Sequence, residues 1–262
     1  MTYEYGRYHE NALGEYNYNF MQPENGENPV DTFFANFNWG KSEVDYSIST
    51  AKWIQRNPYD VLAGLELQKG GSYKTNVDWN AILDEHGKLR LSLGLYAPDT
   101  ITGLGKTGEG YHTHEDLFWT GFQGDPTKGK PADQSWYGMS NLVVDKTPIT
   151  SEDFNTSFNT GHGKHWFVDG KISKEGEWNY RSVSGYLPTW RWWVEHSEDS
   201  TPLKGRYDFD QAYNGGNSLT FEGDLKANSS QNVMLYSTKI PVTETTKLSV
   251  SHKGGVGAAA WV

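Results

Sequence analysis

Three apolar runs in this chain turn polar at their ends, and the side chains at those ends are the ones equipped for chemistry. The runs are residues 32–39 (Thr-Phe-Phe-Ala-Asn-Phe-Asn-Trp), 60–68 and 89–99. Glu66 lies near the end of the second, and Asp99 closes the third after Pro98. Two carboxyls on adjacent strand ends suit general acid and base work; the alternative is that each fixes a neighbouring Arg, Lys or backbone amide. Asn38, Trp39 and Tyr96 stand at the same ends. Aromatic rings stack on the apolar faces of sugar rings while amides read hydroxyl and acetamido groups, so this set suits a sugar site. Plain packing at the rim of a sheet is the competing explanation.

Other groupings are weaker. Gly103-Leu-Gly-Lys-Thr-Gly108 resembles the end of a phosphate-binding loop, but the glycine required five residues before Gly105 is Thr100, so the motif fails. His162, His165 and Asp169 carry metal-ligand groups, yet they sit in a Gly-rich stretch that reads as a surface turn. His112-Thr-His-Glu-Asp116 reads as a helix start with acidic groups in its first turn rather than a metal site.

The elements that must position the strand-end groups follow from periodicity. Between the first two runs, Ser42 and Asp45 look like a capping signal, and Val44, Ile48, Ala51 and Ile54 recur at helical spacing until Asn57-Pro58. A short helix is expected over 77–83, a turn at His86-Gly87, and a further helix around 114–121. Alternating strands and helices imply right-handed βαβ units on a parallel sheet whose carboxyl ends form a site. Residues 1–145 supply about three such units, against the roughly 250 residues of a closed eight-stranded barrel. That leaves either a small open α/β sheet or the last part of a barrel. Residues 1–30 are Tyr-, Asn- and Gly-rich and read as loop with some short helix.

From about residue 148 the helical period disappears. Short aromatic and β-branched runs at 154–159, 165–168, 189–195, 218–222, 233–240 and 247–252, separated by turn residues, read as a β-sandwich. The expected division is therefore 1–147 and 148–262, with the second part incomplete at its end.

Composition narrows the function classes. A net charge of −10 argues against nucleic acid and against an anionic membrane surface. The absence of cysteine excludes disulfides, thiolate metal sites and a cysteine nucleophile. No apolar run is long enough to span a membrane, and no signal peptide begins the chain. Aromatic residues make up 15% of the chain, which suits either sugar stacking or β-rich cores.

Four blocks together match more than a fold type: 57–68 (Asn-Pro-Tyr-Asp-Val-Leu-Ala-Gly-Leu-Glu-Leu-Gln), 91–99 (Leu-Ser-Leu-Gly-Leu-Tyr-Ala-Pro-Asp), 154–163 (Phe-Asn-Thr-Ser-Phe-Asn-Thr-Gly-His-Gly) and 187–193 (Leu-Pro-Thr-Trp-Arg-Trp-Trp). They resemble glycoside hydrolase family 85, the endo-β-N-acetylglucosaminidases, and within it the endo-D type. The resemblance covers nearly all of the chain. It implies the carboxyl-side part of a (β/α)8 TIM barrel followed by a β-sandwich of jelly-roll or galactose-binding-like form. It also implies cleavage of the β-1,4 bond in the N,N′-diacetylchitobiose core of N-glycans, with no cofactor. In such enzymes the substrate's 2-acetamido oxygen attacks the anomeric carbon to give an oxazoline, an Asn orients that group, and a Glu two residues later is the acid/base. This Asn-x-Glu pair belongs on a strand upstream of the Tyr-rich segment. Asn25-Gly-Glu27 has the spacing but lies in a Pro/Gly loop. The expectation is thus a carboxyl-side fragment, inactive alone, with the upstream half of the barrel as a partner. Its substrate-binding residues would be Trp39, Tyr96, Asn38 and Glu66, and its ligand an N-glycan. A non-catalytic carbohydrate-binding protein is the alternative. For location, bacterial relatives imply export of the parent protein and eukaryotic relatives imply the cytosol.

Overall fold

The computed structural model describes residues 2–3, 20–105, 108–122, 136–143, 146–188 and 192–254. The chain divides into two compact units, Met1–Val144 and Asp145–Val262.

The first unit is built on a four-stranded, fully parallel sheet: β1 (Thr2–Tyr3), β2 (Phe33–Ala35), β3 (Val61–Glu66) and β4 (Ser92–Tyr96), neighbours in chain order. The strands are shorter than the apolar runs that announce them, because the last residues of each run leave the ladder. In register, Phe33 and Ala35 face the partners Val61 and Ala63, so these and Leu65 share one side of the sheet. All five are buried in one core with Val44, Ile48 and Ala51 of the helix α1 (Lys41–Trp53). That is the helix-covered side. On the other side Phe34 lies over Gly64 and Gly94, which are partners across β3 and β4.

The start of α1 corrects the expected cap. Gly40 is the N-cap, and Glu43 reaches back so that the Gly40 amide donates to its carboxylate at 2.9 Å. Desolvation pushes the Glu43 carboxyl upward, but hydrogen bonds from its own amide, the Ser42 hydroxyl and the Gly40 amide together hold it below its ordinary value. The helix ends in a Schellman closure. Gln55 takes a positive φ of 60°, its amide donates to Lys52 O, and the Arg56 amide donates to Ala51 O. That turn delivers Arg56 into the interior. Its guanidinium donates to Asp60 Oδ2 and to the carbonyls of Met21, Val30 and Asp31, which fastens residues 21–31 to the sheet. Further on come the four-residue helices α2 (Leu67–Gly70) and α3 (Trp79–Ile82). The longer α4 (Gly108–Thr120) begins well before the expected 114.

The second unit contains three antiparallel pairs among its described residues. β5 (His162–Val168) pairs with β6 (Lys171–Asn179), β7 (Trp193–Glu195) with β10 (Asn232–Met234), and β8 (Lys204–Asp208) with β9 (Ser218–Glu222). The described strands of this unit form two-stranded ladders, and Trp192, Tyr207, Leu219, Phe221 and Val233 pack in one apolar cluster that joins two of them. Residues 154–159 and 247–252 are not strands, and 189–191 lie outside the described residues. Two buried asparagines fasten the loops. Asn217 accepts from the amide and hydroxyl of Thr160 and donates to Phe158 O; Asn159 accepts from Gly161 and Gly216 and donates to Val183 O. The Gly215 turn demands glycine twice over: its φ is 89°, and a Cβ there would meet Asn159 Cγ at 2.7 Å.

Candidate functional site

The carboxyl ends of β2, β3 and β4 bring four of the sequence-derived residues to one rim. After β2 the chain runs through Asn36, Phe37 and Asn38 to Trp39. Asn36 is buried and Asn38 is exposed. The half-buried indole of Trp39 turns back across the sheet, and its Nε1–H donates to Gly64 O at 2.9 Å. This bond ties the end of β2 to β3 and fixes the ring plane. It also commits the indole donor, so Trp39 offers a ligand its face and not its N–H. Tyr96, the last residue of β4, is 40% exposed. Its ring meets that of Phe37 at 5.2 Å with a 56° tilt, and Phe37 meets Phe34 edge to face at 6.4 Å. Phe37 therefore belongs to the same rim. It stands three residues after Phe34, off the two-residue period of a strand, and irregular backbone follows β2, so a strand pattern does not place it on this side.

Glu66 is the register partner of Tyr96. Sequence reasoning placed this carboxylate in a buried strand as a candidate acid or base. It is instead half-buried, and its Oε1 accepts the amides of Gln68 at 3.1 Å and Lys69 at 3.3 Å as the N-cap of α2. Thr75 Oγ1 closes the same loop by donating to Glu66 O at 3.0 Å. Asp99 is exposed in the first turn of the 3-10 segment Pro98–Gly103. Among the described residues no hydrogen bond or ion pair joins it to Glu66, whose capping of α2 is the backbone-fixing role that the sequence offered as one alternative.

His112 and His114 lie inside α4, not at its start. His114 Nδ1 sits 2.7 Å from the hydroxyl of Tyr73, whose phenol burial pushes upward, and His112 Nδ1 is 3.1 Å from Glu115. His162 stacks on Phe209, while His165 opposes Glu175 in the β5–β6 pair. Asp169 follows β5 in the turn. No group of three or more metal-ligand side chains occurs among the described residues. Lys106 and Thr107 lie outside them. Asn25 and Gly26 are the central pair of a tight turn, with φ of 51° and 83° and reciprocal Glu24–Glu27 backbone bonds of 2.9 Å. Asn25-x-Glu27 is thus a turn and not a strand end.

The carboxyl ends of parallel strands are where α/β folds place their ligand sites, and this aromatic and amide rim stands there. Comparison with known proteins makes this specific. Residues 1–166 match the model of glycosyl hydrolase family 85. The chain is 68% identical to the crystallographically solved glycoside hydrolase domain of Endo-D from Streptococcus pneumoniae R6, with a TM-score of 0.82 over 92% of this chain and 38% of that one. It is 26% identical over 87% of its length to the cytosolic endo-β-N-acetylglucosaminidase of Danio rerio, and 23% identical over 81% to cytosolic endo-β-N-acetylglucosaminidase 1 of Arabidopsis thaliana. The chain belongs to glycosyl hydrolase family 85. It spans 29% and 28% of the length of those two relatives.

Proposed function

We propose that these residues form the carboxyl-side part of an endo-β-N-acetylglucosaminidase acting on the GlcNAc-β-1,4-GlcNAc core of N-glycans. One observation carries the reading: four parallel strands in chain order hold Trp39, Phe37 and Tyr96 at their carboxyl ends, inside the segment that matches the family. The parallel sheet is then an arc of a (β/α)8 barrel, and the antiparallel pairs of the second unit belong to a β-sandwich.

In this reading the rim binds and orients. The Trp39 face, with its donor already satisfied, supports the apolar side of a sugar ring; the Tyr96 ring supports a second. The exposed Asn38 amide reads hydroxyl or acetamido groups. Glu66 Oε1 holds the loop after β3, leaving Oε2 to accept a sugar hydroxyl. Chemistry follows the substrate-assisted retaining route: the acetamido oxygen forms the oxazoline as the glycosidic bond breaks, and water opens it. In this reading the Asn that orients the acetamido group and the Glu that protonates the leaving oxygen lie on a segment outside these 262 residues. The purified chain is therefore expected to release no high-mannose glycan from a denatured glycoprotein; measurable release by the chain alone overturns this assignment.

A further inference from the structure

Gly64 and Gly94 are partners in the β3–β4 register, and both lack the side chain that would normally stand on the open side of the sheet. Most of the space is taken by one ring. A Cβ on Gly94 would overlap Phe34 ring atoms, and one on Gly64 would come within 2.5 Å of Ala35 O and within 2.8 and 3.0 Å of the Phe34 ring. Phe34 is thus seated flat on a two-glycine floor and is only 7% exposed. It cannot sink further, because backbone lies beneath it. Its edge meets Phe37 at 6.4 Å and 89°, and Phe37 in turn meets Tyr96 at 5.2 Å. Among the described residues the Tyr96 hydroxyl has no hydrogen-bond partner, so its ring is placed by contact with Phe37 and by its own backbone.

We propose that Phe37 is a positioning residue: it transmits the fixed seat of Phe34 on Gly64 and Gly94 to Tyr96, and so sets the angle at which Tyr96 meets the apolar face of an N-acetylhexosamine ring. The proposal rests on the reading of this rim as a sugar site. It makes the glycine pair a determinant of binding although neither glycine touches ligand. Aromatic pairs of this kind shift affinities by about two- to tenfold, which is the size of effect expected.

The test uses the full chain labelled with 3-fluorotyrosine, with the Tyr96 fluorine signal assigned through Y96F and N,N′-diacetylchitobiose as the probe. Chitobiose is expected to move the Tyr96 signal. F37L should weaken that response about two- to tenfold, and F37Y, which keeps the ring, should retain it. G94A, which alters none of the three aromatic residues but displaces Phe34, should shift the unliganded Tyr96 signal and weaken binding. The same G94A change made in the F37L background should add nothing. A wild-type response in F37L, or independent G94A and F37L effects that simply add, overturns the proposal. The Tyr73 signal reports whether the first unit remains folded, and F37M replaces F37L if it does not. If chitobiose leaves the wild-type Tyr96 signal unmoved, the sugar reading of the rim fails. The positioning of Tyr96 is then still decided by whether G94A moves its unliganded signal only when Phe37 is present.

Discussion

At the scale of single residues, Tyr236 shows how burial becomes a measurable property. Its hydroxyl donates to Tyr186 O at 2.7 Å, lies 3.3 Å from Thr156 Oγ1, and its ring packs against Phe154 and Phe158. Desolvation is the largest influence on the phenol and raises it to about 12 from an ordinary value of 10.0, against a smaller opposing effect of the Thr156 bond. The folded form therefore holds its proton where the unfolded form loses it. The corresponding stability is fully present below pH 10.0 and is lost as pH rises toward about 12. Denaturant titrations should show this decline over that interval, and Tyr236→Phe should flatten it while costing about 1 kcal/mol at neutral pH through the lost hydrogen bond. An unchanged slope in the Phe variant contradicts the assignment. Trp39 and Glu66 teach a related lesson. Both reach the rim, but each has a polar group committed to backbone, which limits what it can offer a ligand.

At the scale of elements, Arg56 joins a helix terminus, a loop and the start of a strand. Its side chain is 5% exposed and bonds to one carboxylate and three carbonyls. Arg56→Ala leaves those acceptors unpaired and should cost the first unit about 3 kcal/mol in urea unfolding, with Arg56→Lys recovering only part because it lacks the planar fork. A loss below about 0.5 kcal/mol, the range of ordinary surface changes, contradicts that role.

The same elements show what a sequence makes legible. β3 and β4 are near-continuous apolar runs, although only β3 is largely buried, and α1 carries its core residues at helical spacing. These were readable within a few residues. β9 was placed at its observed bounds because Leu219 and Phe221 are half-buried between polar neighbours. β6 was missed because Lys171–Asn179 is exposed at nearly every position and has no alternation to read. β8 was missed because only Tyr207 of its five residues is buried. The expected strand at 247–252 does alternate, with Leu248 and Val250 apolar, yet both are exposed and unpaired in a ladder. Periodicity states a preference, and pairing needs a neighbour. At the rim, Trp39, Tyr96 and Asn38 were found from residue type and position. For Glu66, fixing a backbone amide was one of two readings, and the sequence did not say which amides, since that depends on the turn immediately after β3, where an i+2 and an i+3 amide converge on one oxygen.

At the scale of the whole molecule, the chain matches its family over residues 1–166 and spans 38% of the solved Endo-D domain chain. A net charge of −10 at pH 7 suits a neutral glycan better than a polyanion. The central claim is that the rim formed by Trp39, Phe37 and Tyr96 is one side of a cleft whose acid/base lies on a segment outside these residues. The most direct measurement joins the upstream part of the 68% identical Endo-D domain to this chain and assays glycan release from a denatured high-mannose glycoprotein. The hybrid should be active, and Trp39→Ala within it should lower kcat/KM by about tenfold or more, the loss of one stacking face. A folded hybrid that releases no glycan, or one in which Trp39→Ala is as active as its parent, contradicts the claim.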